Sequence, residues 1–156
     1  AVVFNSGATS DSIGADYLVS NKFVVAYQDG GNSNYGTAII GTVSGTNISF
    51  GSESVFESAA TYGVKVKKDP NATDIFVVAY LDNGNSNYGT SIVGTASGTS
   101  ISYGSAVVFK SASTSSTRNG LSFDPSTANK FVIIFEASSV FKAIIGTEYM
   151  ILFLVF

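Results

Sequence analysis

A twenty-residue stretch that occurs twice is the feature that most constrains the fold. "FVVAYQDGGNSNYGTAIIGT" begins at Phe23 and "FVVAYLDNGNSNYGTSIVGT" begins at Phe76, 53 positions later, with four differences. A third, divergent copy of the opening, "FVIIF", begins at Phe131. Val-Phe pairs recur with a similar period and end at Phe4, Phe56 and Phe109, and an Asp lies seven residues before each copy, at Asp16, Asp69 and Asp124. A fixed period of this kind predicts a repeat architecture in which each repeat is one supersecondary unit.

Each unit contains four strand candidates separated by turn residues. In the first unit they are residues 12–17, "KFVVAYQ" at 22–28, "YGTAIIGTV" at 35–43 and "ISFGSESVF" at 48–56. β-branched and aromatic residues favour strands, and the intervening Gly, Asn, Ser and Asp favour tight turns. Short strands joined by such turns predict consecutive antiparallel hairpins.

Four antiparallel strands in about 53 residues are typical of one blade of a β-propeller. We therefore predict an all-β, propeller-like chain of roughly three four-stranded blades, a partial propeller, forming one repeat domain over residues 1–156. The expected parts are an orphan strand at 1–5, blade 1 at about 6–57, blade 2 at about 58–110 and a degenerate blade 3 at about 111–156. A β-sandwich and a β-solenoid are the alternatives, but a sandwich needs no faithful repeat and a solenoid coil is shorter.

The units resemble the propeller repeats of environmental, phage and algal-virus proteins. The turn after the second strand is also similar to the Asp-box of sialidase-like propellers, Ser/Thr-x-Asp-x-Gly-x-Thr-Trp. The segments that begin at Asp29 and Asp82 keep the Asp-x-Gly core, and Tyr35 and Tyr88 take the aromatic position one residue late. The resemblance implies that the Asp stabilises a hairpin and that the aromatic ring fills a gap between strands. It also implies a viral or environmental surface protein, extracellular or on a virion.

The two polar loops are the candidate binding sites. Their candidate residues are Asp29, Asn32, Asn34, Tyr35, Asp82, Asn85, Asn87 and Tyr88. Asn and Asp side chains can bond sugar hydroxyls and a Tyr ring can stack on a sugar face, so a glycan is the expected ligand, with avidity from repetition. The same residue types favour tight turns, so a structural role is the alternative. Calcium is disfavoured because each loop has one carboxylate and no distal Glu.

The composition argues against catalysis and against nucleic-acid binding. The chain has no His and no Cys, which removes His general bases, thiolate nucleophiles and the common zinc sites. The arginine triad of a sialidase cannot be built from Arg118 alone. Eight Lys and Arg against eleven Asp and Glu form no basic stripe for nucleic acid. We predict a non-catalytic module for binding or display, without cofactor or metal. The alternatives are a fragment of a sialidase-like glycan-processing enzyme whose active site lies elsewhere, and a purely structural repeat.

The third unit departs from the pattern. Its loop reads "EASS" at residues 136–139, and "EYMILFLVF" at 148–156 matches nothing earlier. The eight apolar residues of that segment are too few to span a bilayer, so we expect no membrane partner. The segment is either a final core strand or the product of a frame-shifted or truncated reading end. Propellers close with about four to eight blades. We therefore predict self-association, as a dimer that closes a six-bladed ring, or membership of a longer propeller.

Overall fold

The computed structural model describes residues 1–8, 12–112, 119–137, 140–148 and 154–155. These residues form β-strands and one short 3-10 turn, with no α-helix among them. The strands are β1 Ile13–Tyr17, β2 Lys22–Asp29, β3 Tyr35–Ser44, β4 Asn47–Phe50, β5 Ser54–Lys68, β6 Ile75–Asp82, β7 Tyr88–Ser97, β8 Ser100–Tyr103, β9 Val107–Lys110, β10 Asn119–Phe123, β11 Lys130–Ala137, β12 Val140–Thr147 and β13 Leu154–Val155. All strand pairs described are antiparallel, which confirms the predicted all-β, antiparallel architecture. Within the described ranges, no helix has the length and apolar character needed to cross a membrane.

The strands follow the sequence repeat. In the first unit β1, β2 and β3 pair in chain order, and both β4 and the start of β5 pair with β3. The second unit repeats this plan with the rest of β5, then β6 and β7, and with β8 and β9 along β7. The third unit has the order β10-β11-β12-β13. The described strands form no closed ring, so the arrangement as propeller blades stays a prediction.

The structure divides the strand that the sequence predicts at residues 48–56. β4 ends at Phe50 and β5 begins at Ser54. Between them the N–H of Gly51 donates to the carbonyl oxygen of Ile40 at 2.9 Å. The last strand of the unit is therefore two short pieces along β3, because the residues between them leave the regular ladder.

β5 passes from the first unit into the second without a break. Through Ala60 it pairs with β3, and from Thr61 onward it pairs with β6. The register shifts between Tyr62 and Lys65, where Gly63 has a φ of 59°. A bulge with a glycine in the left-handed region bends and twists a strand, which lets β5 serve two sheets.

The three units stack face to face. Val24 on one face of β2 belongs to the same buried cluster as Val66 and Val78 of the second unit. Val77, on the opposite face of β6, belongs to a cluster with Ile133 of the third unit. Side chains alternate between the two faces of a strand, so a central strand covered on both faces is apolar at nearly every position.

The Val-Phe landmarks lie at the junctions between units. The ring of Phe56, at the start of β5, packs on Tyr80 of the second unit with centroids 5.1 Å apart. The ring of Phe109 packs in the same way on Phe135 of the third unit, at 5.4 Å. The residue that ends one unit is therefore a contact with the next one.

The recurring Asp residues also join neighbouring units. Oδ2 of Asp16 accepts a hydrogen bond from the N–H of Lys68 at 3.0 Å and lies 3.5 Å from Nζ of Lys67. Oδ2 of the fully buried Asp69 accepts from the N–H of Asn129 at 3.0 Å. Hydrogen bonds to a charged group contribute about 1.5–3 kcal/mol each, so these carboxylates stabilise the stack.

The first eight residues form no strand, although the sequence predicts one at residues 1–5. Phe4 still makes the contact that its sequence position implies, because its ring lies 5.2 Å from that of Tyr27. The carbonyl oxygen of Ala8 accepts the N–H of Gly30 at 2.8 Å. This segment therefore bonds to a loop of the first unit instead of extending a sheet.

The C-terminal residues are described only in part. Leu154 and Val155 pair with Ile145 and Ile144 of β12. The rest of the segment from residue 149 onward lies outside the described residues, as do positions 138 and 139 of the third loop. The prediction of a core strand over the whole segment therefore stays a prediction.

Candidate functional site

The first polar loop is a tight connection between β2 and β3. The last residue of β2, Asp29, pairs with the first residue of β3, Tyr35. The carbonyl oxygen of Asp29 accepts the N–H groups of Asn32 at 3.1 Å and Asn34 at 2.9 Å. Ser33 and Asn34 have φ values of 54° and 63°. Asn tolerates this left-handed conformation better than most residues, which explains its place in the loop.

The side chain of Asp29 is buried and bonded at the base of this loop. Its relative exposure is 5%, and its Oδ1 accepts the N–H of Gly31 at 3.0 Å. The same oxygen accepts a hydrogen bond from Nδ2 of Asn5 at 2.8 Å. Asp29 therefore orders its own turn and fixes the segment before β1 against the loop.

A cavity of about 380 Å³ opens beside the loop. It is lined by residues 4–7 together with Asp29, Gly31, Asn32 and Glu53. Two carboxylates and two side-chain amides, those of Asn5 and Asn32, are thus gathered around one space that exposes little apolar surface. Asn32 and Glu53 are exposed, so they are open to a molecule arriving from solvent.

Glu53 is positioned by a buried tyrosine. The hydroxyl of Tyr27 donates to Oε1 of Glu53 at 2.7 Å, and Tyr27 itself is fully buried. Burial raises the pKa of Tyr27, and the hydrogen bond to Glu53 and its charge raise it further. The hydroxyl therefore remains a donor over the physiological range and holds the Glu53 carboxylate in place.

The second polar loop makes its hydrogen bonds internally. Oδ1 of Asp82 accepts the N–H of Asn85 at 3.2 Å across a short 3-10 turn. Nδ2 of Asn83 donates to Oδ1 of Asn87 at 3.1 Å. Tyr88 is half-buried at the start of β7 and pairs with Asp82. These bonds account for the turn, and ligand binding at Asp82, Asn85, Asn87 and Tyr88 stays a prediction.

The residue after each Val-Phe pair gives the loops different chemistry. In the first unit this residue is Asn5, which donates to Asp29. In the second unit it is Glu57, which accepts the hydroxyl of Tyr80 at 3.2 Å. Burial raises the pKa of Glu57, and the charge of Asp82 raises it further. The amide of Asn5 thus donates to the aspartate of the first loop, whereas the carboxyl group of Glu57 lies near the aspartate of the second loop. The two loops therefore differ as possible binding sites.

The structure brings only some of the predicted site residues to the cavity. Asp29 and Asn32 line it, whereas Asn34 occupies the left-handed turn position and Tyr35 is half-buried at the start of β3. Neither Asn34 nor Tyr35 is among the lining residues. Sugar stacking on Tyr35 and binding by Asn34 therefore stay predictions outside this cavity.

Three residues that form or position the cavity were not predicted from the sequence. Asn5 follows a Val-Phe landmark directly, so the repeat could have suggested it. Tyr27 lies within the central strand, and its sequence position indicates only a buried core residue. Glu53 carries no signal, because the position 53 residues later is Ala106.

A pair of acidic groups lies between the second and third units. Burial raises the pKa of Glu148 to about 7, with further contributions from the charge of Asp69 and from hydrogen bonding to it. No N–H or O–H donor within the described residues bonds either carboxylate oxygen of Glu148. A proton on Glu148 is therefore needed for a favourable contact with Asp69. The equivalent position in the second unit is Ala96, so this pair is specific to the third unit.

Comparison of the chain with protein-family models, with curated proteins and with solved structures gives no significant match. Within the part of the chain that the structure describes, no three Asp, Glu, His or Cys side chains come together as a metal site. The kind of molecule that the cavity can bind is therefore inferred from the residues that line it. Carboxylate and amide groups gathered in this way can bind a neutral, hydroxyl-rich molecule.

Proposed function

We propose that this chain is a non-catalytic, β-propeller-like module for binding or display, and that the cavity beside its first polar loop binds a carbohydrate. The observation that supports the proposal is the gathering of Asn5, Asp29, Asn32 and Glu53 around one cavity. The volume of about 380 Å³ is within the usual range for small-molecule sites. A site of that size accommodates one or two sugar rings.

The polar groups of the cavity match the needs of a sugar. Asn32 is exposed and offers both an amide donor and an acceptor, and the exposed Glu53 offers acceptors. Phe4 lines the cavity, but its ring packs on Tyr27 and the exposed surface of the cavity is mostly polar, so hydrogen bonds rather than stacking would hold a sugar. Because Asn5 and Tyr27 fix Asp29 and Glu53 before any ligand arrives, little ordering cost falls on binding.

The repeat and the stacking support the propeller part of the proposal. Each unit places an antiparallel set of strands against the next, and the contacts Phe56–Tyr80 and Phe109–Phe135 recur at successive junctions. Repetition of one sheet and one junction is the construction principle of propellers.

The two carboxylates of the cavity accept hydrogen bonds from the protein, and this favours a binding role over a catalytic one. Asp29 is buried and its Oδ1 accepts two hydrogen bonds, from Asn5 and Gly31. Glu53 is exposed and bonded to Tyr27. A nucleophile needs an unobstructed approach to its oxygens, and both carboxylates already accept hydrogen bonds from the protein.

A purely structural repeat is the second candidate, and the second loop favours it. Its bonds from Asn85 to Asp82 and from Asn83 to Asn87 stay within the loop. A loop that satisfies its own polar groups needs no ligand to fold.

A glycan array probed with the full chain, followed by calorimetry on any hit, tests the proposal. Asn32→Ala and Glu53→Gln should each weaken binding at least about tenfold, the loss expected when one or two hydrogen bonds to a ligand disappear. Asn85→Ala is the matched control, because it stands 53 residues after Asn32 in the second loop. It should leave binding unchanged.

The other outcomes separate the alternatives. Equal losses from Asn32→Ala and Asn85→Ala would mean that both loops bind, as the sequence predicts. The absence of binding to any glycan would favour the structural repeat. Turnover of fluorogenic glycosides that Glu53→Gln abolishes would replace the proposal with an enzyme.

A further inference from the structure

The outer face of the third unit exposes apolar residues at positions that are buried in the other units. Ile134 of β11 is 46% exposed, whereas the equivalent residues Ala26 and Ala79 are fully buried under the following unit. Phe141 lies on the same face, because it pairs with Glu136, two residues from Ile134, and it is 66% exposed. We name this surface the leading face.

The opposite end of the stack has a matching apolar surface on β1. Ile13 and Tyr17 lie on one face of that strand and are 46% and 61% exposed. The residues that face the preceding unit from the second and third units, Val66 and Leu121, are 3% and 9% exposed. We name the surface of Ile13 and Tyr17 the trailing face.

Contacts inside the chain show that a leading face packs on a trailing face. Val24 and Ala26 of the first unit face forward and share a buried cluster with Val66 and Val78, which face backward from the second unit. The exposed apolar side chains at the two ends lie where the inner units bury theirs against each other. Since the two open faces carry the same two surface types, each one complements the other.

The Asp124 carboxylate of the third unit also differs from its equivalents in the first two units. The Asp124 carboxylate accepts hydrogen bonds at Oδ1 from the N–H and Oγ of Ser126 and from the N–H of Thr127, all within its own turn. The equivalent residues Asp16 and Asp69 use Oδ2 to accept an N–H from the next unit. Among the described residues, no backbone N–H from another unit bonds Oδ2 of Asp124, which is the position an incoming copy would take.

We propose that a second copy of this chain docks head to tail, with the leading face of one copy on the trailing face of the other. The contact joins different surfaces on the two partners, so each copy keeps one open face of each type. Repetition of the contact either closes a ring or extends a filament. Two copies that close together give six stacked units. The proposal does not depend on whether the cavity binds a carbohydrate.

Sedimentation velocity over a range of concentrations tests the proposal with charged substitutions. Ile134→Lys disables the leading face and Tyr17→Lys disables the trailing face, because each buries an unpaired charge in the contact. Each should raise the dissociation constant at least about tenfold. Val140→Lys is the matched control: Val140 adjoins Phe141 in β12, is 54% exposed, and points to the opposite face by strand alternation. It should leave association unchanged.

A mixture of the two disabled variants identifies the geometry. Each variant alone should be monomeric, and an equimolar mixture of Ile134→Lys and Tyr17→Lys should form a heterodimer that grows no further. Association that survives Tyr17→Lys but not Ile134→Lys would show two leading faces meeting and would overturn head-to-tail docking. A wild-type chain that is monomeric at every concentration would also overturn it, and would indicate that the chain's own C-terminal segment covers the face. Circular dichroism of each variant confirms that loss of association is not loss of fold.

Discussion

The rings of Phe56 and Tyr80 lie 5.1 Å apart across the boundary between the first and second units. Phe56 is 7% exposed and Tyr80 is fully buried. The Phe56 ring also lies directly over Gly36 of β3, where a β-carbon would collide with it. One side chain thus fills a space that is shared by two units and that a glycine leaves open.

Replacing Phe56 with alanine should remove the ring contact between the first and second units and destabilise the chain. Large-to-small substitutions of buried Phe cost about 3–5 kcal/mol, through lost burial and the cavity left behind. We expect a loss of that size in the free energy of unfolding, measured by urea denaturation. Phe141→Ala is the control, since Phe141 is 66% exposed and should change stability by less than about 1 kcal/mol. Equal effects of the two substitutions would contradict the role assigned to Phe56.

Glycines under aromatic rings should differ in their tolerance of alanine. A β-carbon on Gly94 would collide with the ring of Phe76, which is fully buried and cannot move aside. Gly94→Ala should therefore cost about 1–3 kcal/mol, as overpacking usually does. Gly41→Ala should cost less, because the covering ring of Phe23 is only half-buried. Thermal denaturation that ranks the two in the opposite order would refute this explanation.

A third glycine serves as the control for that comparison. The nearest atom to a β-carbon on Gly104 would be the carbonyl oxygen of Val93, at 3.9 Å. Gly104→Ala should therefore be neutral or slightly stabilising, because alanine restricts the unfolded chain more than glycine does.

The two loop aspartates should contribute unequally to stability. Asp29 is buried and accepts hydrogen bonds from Asn5 and Gly31, so Asp29→Ala leaves two donors without their partner. We expect a cost of about 2–3 kcal/mol. Asp82 is partly exposed and accepts one N–H, from Asn85, so Asp82→Ala should cost about 1 kcal/mol. Urea denaturation of both variants checks the order. Unchanged stability of the Asp29→Ala variant would show that this carboxylate has no structural role and would favour a role in ligand binding.

Glu148 should make stability depend on pH. Its pKa in the folded chain is raised from 4.5 to about 7, so the folded chain binds its proton more tightly than the unfolded chain. Below pH 4.5 both states are protonated and there is no penalty. As pH rises from 4.5 toward 7 only the unfolded chain releases the proton, so the free energy of unfolding falls.

Comparison with Glu148→Gln isolates this effect from the other carboxylates. The variant should gain stability relative to the wild type as pH rises across that window, and the difference should level off above pH 7. Denaturation midpoints at several pH values measure it. A difference that stays constant between pH 4 and 8 would show that Glu148 titrates normally in the folded chain.

The period, the strand type and the turns follow from short stretches of the sequence. The central strands at Phe23 and Phe76 could be predicted because β-branched and aromatic side chains fit a pleated, half-buried surface. The loops after Asp29 and Asp82 could be predicted because Asn and Gly tolerate left-handed conformations. These are mainly short-range effects, so both copies of the loop place a Ser-Asn pair in the left-handed conformation.

Which of these pieces meet depends on the tertiary structure. Two loops that read almost identically differ as sites, because Asn5 supports Asp29 whereas Glu57 lies near Asp82. Glu53 joins the cavity through Tyr27, a contact between residues 26 positions apart that no period contains. The passage of β5 between sheets likewise depends on pairing at both of its ends. Such contacts depend on the path of the whole chain, since desolvation and hydrogen bonding act between whatever residues that path brings together.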